Sequence, residues 1–140
     1  MSSSGPVAAD PAHTPAKSRP AILLVEDDRE VREVSVRHLT DFGFQVHTAS
    51  NGPAALAFLD GPQPIDLLCT DVIMPGGMTG YGVADAAVAR RPGIKVLFIT
   101  GYAGTSASHG QLRHPGAPML HKPFTRKELA EAIHTALGGR

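Results

Sequence analysis

Residues 22–28 read ILLVEDD, four consecutive aliphatic residues followed at once by three acids. Alternation of apolar and polar residues marks a strand with one wet face, whereas an unbroken apolar run marks a strand covered on both faces, as in parallel sheets. The pattern recurs along the chain. Apolar runs occupy 65–69, 94–99 and 119–120, with a weaker strand-like piece at 45–49.

Between these runs lie longer segments with helical spacing. Val31, Val34, Leu39 and Phe42 mark one face of a first helix, which Gly43 can end in the left-handed conformation. Pro53 suits the first turn of a second helix carrying Ala54, Leu56, Phe58 and Leu59. Val83, Ala84, Ala87 and Val88 mark a third, ending before Pro92. The last begins with Thr125, has Glu128 three residues on as a capping box, and continues through Leu129, Ala132, Ile133 and Leu137. Strand and helix in alternation imply an α/β domain with a parallel sheet and right-handed crossovers. Residues 103–114 (AGTSASHGQLRH) fit badly, because Gly, Ser and Thr are poor helix formers. A short or irregular fourth helix is expected there.

In open parallel sheets, ligand sites collect beyond the carboxyl ends of the strands. The polar residues that follow the apolar runs therefore share one edge. They are Glu26, Asp27 and Asp28 after the first run, Asp71 after the third, Thr100 and Gly101 after the fourth, and Lys122 after the fifth. Clustered carboxylates repel one another and call for a cation, and oxygen-only donors suit a hard ion such as Mg²⁺. A carboxylate can also attack phosphorus and form an aspartyl phosphate. The charge on a transferred phosphoryl group needs positive partners already in place. Lys122 supplies an ammonium, Thr100 a hydroxyl, and Gly101 an accessible N–H. Singly, the acids could be helix caps and Lys122 a surface charge. Their convergence on one edge favours a site.

The 140 residues suit one domain, with a tail over 1–20 that is rich in Ser, Pro and Ala, carries no apolar period and is expected to be disordered. The domain is expected to span 21–138. Lys plus Arg and Asp plus Glu number 13 each, so no net field favours nucleic acid or anionic lipid. A pI near 7.1 leaves little repulsion between copies, which allows a homodimer. The one cysteine, Cys69, lies in an apolar run and reads as a small buried hydrophobe. No run approaches the ~18 apolar residues of a membrane span, and no signal peptide is evident, so a cytoplasmic location is expected. The seven histidines are scattered and offer no helical metal pair.

The stretches ILLVEDD (22–28), LLCTDVIMPGGMTG (67–80), FITGY (98–102) and HKPF (121–124) resemble the response-regulator receiver domains of two-component signalling. The likeness covers about residues 21–137 and extends to the receiver domains of hybrid histidine kinases. It implies a doubly wound, flavodoxin-like five-stranded sheet of order 2-1-3-4-5 with helices on both faces. It also implies that Asp71 is the phosphoacceptor, that Asp27 binds Mg²⁺ directly, and that Glu26 acts through water or as a weaker ligand. The backbone carbonyl of Ile73 would complete the protein's share of the metal shell. Thr100 would be the switch hydroxyl, Lys122 the partner of the phosphoryl group, and the Lys122–Pro123 bond cis. The implied partners are a histidine kinase or histidine phosphotransfer protein and an unknown downstream protein.

Three departures from the family pattern stand out. The PGGMTG loop is one residue longer than the commonest form, Met119 stands where many receivers place a switch Tyr or Phe, and 103–114 is glycine- and serine-rich. Ile73 cannot hydrogen-bond an attacking water and Tyr102 could cover the site, so slow hydrolysis of the aspartyl phosphate is expected. The chain ends just after the last helix, which reads as a stand-alone phosphoacceptor rather than an enzyme. The alternative is the receiver portion of a larger hybrid histidine kinase. A phospho-aspartate phosphohydrolase would want a second Asp at the position of Ile73. A flavin- or nucleotide-binding domain would want a phosphate-cradling loop where Glu26–Asp28 stand. Both fit poorly.

Overall fold

The computed structural model describes residues 19–74, 77–101, 114 and 116–138. Five parallel strands form one sheet: β1 (Ala21–Val25), β2 (Gln45–Ala49), β3 (Leu67–Asp71), β4 (Lys95–Thr100) and β5 (Met119–His121), in the order β2-β1-β3-β4-β5. Four helices lie among the described residues: α1 (Arg29–Asp41), α2 (Gly52–Leu59), α3 (Gly80–Arg90) and α4 (Arg126–Ala136). The sheet and its 2-1-3-4-5 order agree with expectation.

The unbroken apolar runs are explained by what covers them. Leu23 and Val25 of β1 point into a core with Ala55 and Leu59 of α2 and Val83, Ala84 and Ala87 of α3. Ile22 and Leu24 point the other way, to Leu39 of α1 and Leu129 and Ile133 of α4. Every residue of β1 is buried. At ~25 cal/mol per Å² of apolar surface, these two layers are the main source of stability.

The helix ends follow their caps. Asp28 accepts from the N–H groups of Glu30 and Val31, Asn51 from Ala54, and Thr79 from Gly82. Thr125 and Glu128 form the anticipated reciprocal capping box. Gly43 has φ +100°, so its place after α1 is one an L side chain would fill only with strain.

Two helix faces need correction. Val34 of α1 is 44% exposed, and Val88 of α3 is 40% exposed. The buried stripe of α1 passes instead through Ser35 and Leu39, with Val36 and Phe42 packed beside it. Val34 joins Val31, His38 and Phe124 in an open apolar groove between α1 and the start of α4. The strand ends also shift: β3 begins at Leu67 rather than 65 and runs through Asp71 itself. The expected tail falls outside the described residues up to residue 18, as does 103–113 of the expected irregular helix. Of the tail, Pro20 accepts a hydrogen bond from the Gln45 N–H at 3.0 Å, extending the pairing of β1 with β2.

Candidate functional site

Three neighbouring strands, β1, β3 and β4, end at the same edge, and the short β5 ends beside β4. The resulting cleft, of about 290 Å³, is lined by Glu26, Asp27, Asp28, Asp71, Ile73, Thr100, Gly101 and Lys122. Sheet register explains the convergence: Asp71 pairs with Ile99, and Thr100 with His121, so the polar residues stand at or just past the ends of their strands at nearly the same level.

Asp71 is the last residue of β3 and is only 4% exposed. Its backbone position is fixed from three sides. The Thr70 hydroxyl donates to the Asp71 carbonyl at 3.0 Å, the Val72 N–H to Ile99 at 2.9 Å, and the Gly80 N–H to the Val72 carbonyl at 2.7 Å. That last bond draws the start of α3 against the end of β3. A Cβ on Gly80 would run into the Asp71 carbonyl oxygen and the Val72 Cα. Gly80 thus performs a task that sequence reading did not assign to it. Its only sequence signal is a glycine just after the capping Thr79, at the first position of a helix.

Lys122 reaches into the cleft from the loop after β5. Its Nζ lies 3.0 Å from Glu26 Oε1 and 3.1 Å from Asp71 Oδ1. The Lys122 N–H donates to the Thr100 carbonyl at 2.8 Å, and the Lys122–Pro123 peptide is cis. Glu26 is 2% exposed, and its other carboxylate oxygen accepts from the Asp28 N–H at 3.1 Å. Its carbonyl accepts from Arg32 Nη1 at 2.7 Å. Asp27, by contrast, is exposed at the mouth.

The electrostatics follow from burial. Burial pushes the Asp71 carboxyl from its ordinary 3.8 up to about 8; hydrogen bonding and charge from Glu26 add to the rise, and Lys122 opposes it. Burial works against the Lys122 ammonium, but the Glu26 and Asp71 carboxylates outweigh it and hold its pKa above the ordinary value. One ammonium faces several acids, so the cleft favours additional positive charge. Glu26, Asp27 and Asp71 each offer a carboxylate oxygen, and these atoms lie within 4.8 Å of one another. Hard, anionic, closely spaced oxygens are compatible with Mg²⁺.

The other expected positions are also accounted for. Thr100 is buried at the end of β4. Gly101 borders the cleft, but a Cβ there would meet nothing, so lack of space does not require glycine at this position. Ile73 stands 54% exposed at the rim. Met119 is half-buried at the start of β5, packed against the core beneath α2 and α3. Tyr102 lies outside the described residues, as do Pro75 and Gly76 of the PGGMTG loop. Further along that loop, Met78 packs on Gly52 at the start of α2, leaving no room there for a Cβ (its Sδ 2.6 Å away). Cys69 is fully buried, which pushes its thiol up to about 12.

The chain is similar to known proteins over most of its length. Residues 22–134 match the model of the response regulator receiver domain. The chain is 35% identical over 116 residues to the response regulator receiver protein CpdR of Brucella abortus, covering 83% of this chain and 95% of that one. It is 34% identical to the sensor kinase CckA of the same organism, again over 83% of this chain but only 12% of that protein. The crystal structure of a response regulator receiver protein from Sinorhizobium medicae superposes with a TM-score of 0.78 at 30% identity, covering 86% and 96% of the two chains.

Proposed function

The chain belongs to the response regulator receiver domain family of two-component signalling, and we propose that its Asp71 accepts a phosphoryl group from phosphohistidine on a partner histidine kinase or histidine phosphotransfer protein. One observation carries the reading: a buried carboxylate at the end of the central strand β3 is held 3.1 Å from the Lys122 ammonium, in a cleft shared with three more acids, Glu26, Asp27 and Asp28.

The reaction follows from these groups. An Oδ atom of ionised Asp71 attacks phosphorus, the P–O bond forms as the P–N bond to imidazole breaks, and the departing imidazole keeps the electron pair and takes up a proton. Burial and Glu26 disfavour the ionised form of Asp71, whereas Lys122 favours it. Lys122 already touches both Asp71 oxygens, at 3.1 and 3.3 Å. From there its ammonium can follow the negative charge onto the phosphoryl oxygens. Asp27, Asp71 and the Ile73 carbonyl would hold Mg²⁺, with Glu26 acting through water. When bound, the ion neutralises charge gathering on the phosphoryl group. The Thr100 hydroxyl at the end of β4 is the donor that moves towards the new phosphate, and a downstream protein reads the change. Met119 sits where an aromatic residue is common, so the readout runs through the Thr100 backbone and the β5 loop rather than through an aromatic rotamer. The protein acts as a cytoplasmic phosphoacceptor switch, not as a turnover enzyme.

A second setting is favoured by the likeness to a segment of a sensor kinase, of which this chain matches only 12%. In that setting the domain is the receiver portion of a hybrid histidine kinase. The chemistry at Asp71 is the same. The test is incubation with acetyl phosphate followed by phosphate-affinity electrophoresis, with Mg²⁺ or with EDTA. A retarded band that needs Mg²⁺ and Lys122 is expected. A band of equal strength in EDTA, or no band in Mg²⁺, overturns the proposal.

A further inference from the structure

The two neighbouring acids of the cleft are held very differently. Glu26 is tied at every polar point: its N–H to the Ala49 carbonyl, its carbonyl to Arg32, and its two carboxylate oxygens to Lys122 and the Asp28 N–H. Among the described residues the Asp27 carboxylate makes no hydrogen bond or ion pair, and Asp27 is exposed. Its direction is therefore set by the backbone, above all by the Glu26–Asp27 peptide. The strongest hold on that peptide is the 2.7 Å bond from Arg32 Nη1 to the Glu26 carbonyl.

Resting on the metal site proposed above, we infer that Arg32 is a positioning residue for that site, fixing the Glu26–Asp27 peptide so that Asp27 points at the divalent cation. Arg32 lies in the first turns of α1 and reaches back over the helix start to a carbonyl outside the helix, a path that helix formation alone does not require. Its charge should act in the opposite sense. A guanidinium beside a cation site repels a divalent ion, so removing the charge alone would tighten metal binding. Removing the hydrogen bond frees the peptide and should weaken it. A purely structural role would lower stability and leave affinity unchanged. The sign of the affinity change separates the three.

The experiment is calorimetric titration of the full chain with MgCl₂, for wild type, Arg32→Met, Arg32→Lys and Asp27→Asn, each checked for folding by circular dichroism. Arg32→Met keeps the alkyl stem and loses the donor. It should bind Mg²⁺ about tenfold more weakly, as loss of a charge-assisted hydrogen bond implies. Arg32→Lys, with a shorter, differently placed donor, should weaken binding in the same direction but less, by about two- to threefold. If Arg32→Met does not fold, Arg32→Lys carries the test. Unchanged or tighter binding in the folded variant overturns the inference while leaving the metal site standing. Failure of wild type to bind Mg²⁺, or wild-type affinity in Asp27→Asn, overturns both.

Discussion

Replacing Asp71 by Asn should stabilise the protein in metal-free buffer, by an amount that grows with pH. The folded carboxyl is raised from 3.8 to about 8, so between these values the native state binds more protons than the unfolded chain. Stability then falls as pH rises through that window. At ~1.4 kcal/mol per pKa unit, the full shift sets a ceiling near ~6 kcal/mol. The cleft opens to solvent, and screening there reduces the expected gain from Asn to about 2–3 kcal/mol at pH 8. For a domain of this size that corresponds to a rise in Tm of about 8–12 °C. Urea or thermal unfolding in EDTA at pH 4, 6 and 8 measures the effect. The variant and wild type should converge near pH 4, separate by pH 6, and separate furthest at pH 8. Adding Mg²⁺ should narrow the gap by stabilising wild type preferentially. A gap that is absent at pH 8, or constant from pH 4 to 8, would refute the electrostatic account of the cleft.

Gly80→Ala forces a methyl group against the Asp71 carbonyl. It should cost about 3 kcal/mol in unfolding free energy and slow phosphorylation by displacing the acceptor; wild-type stability would show that the contact is not tight. Ile73→Asn places a hydrogen-bonding side chain at the exposed rim. It should shorten the lifetime of the phosphorylated form, followed by decay of the retarded electrophoretic band, and an unchanged lifetime contradicts the role given to Ile73. Cys69, with its thiol at about 12 and fully buried, should resist iodoacetamide at pH 8 until the chain is unfolded. Rapid labelling of the native protein would contradict the packing of β3.

The sheet was legible because its signal is crude: a strand covered on both faces must be apolar where it is covered, and β1 is so throughout and β4 from Val96 to Ile99. The site was legible for a related reason. A charged residue within two positions of the end of such a run stands at the strand's end, which places Glu26, Asp71 and Lys122 on one edge before any geometry is known. The outward faces of the helices were harder to read. Val34 and Val88 fit the helical period yet face solvent, because periodicity identifies an apolar stripe without saying which of its margins the sheet covers. Ser35, a polar residue, takes an inward position on α1 instead. The packing constraints were hidden for another reason. Gly80 and Gly52 matter through what approaches them, namely the Asp71 carbonyl and the Met78 side chain. Those approaches depend on how the loop after β3 folds back. Nothing in the sequence sets Arg32 apart from the other charges of α1, and its bond to the Glu26 carbonyl depends on the turn between β1 and α1.

The central claim is that phosphoryl transfer ends on Asp71. Intact-mass analysis after incubation with acetyl phosphate and Mg²⁺, followed by peptide mapping, tests it directly in wild type and Asp71→Asn. The account predicts a single phosphoryl adduct on wild type, located to the peptide containing Asp71, and none on the variant. An adduct of equal yield on both proteins, or its location at any other residue, would contradict it.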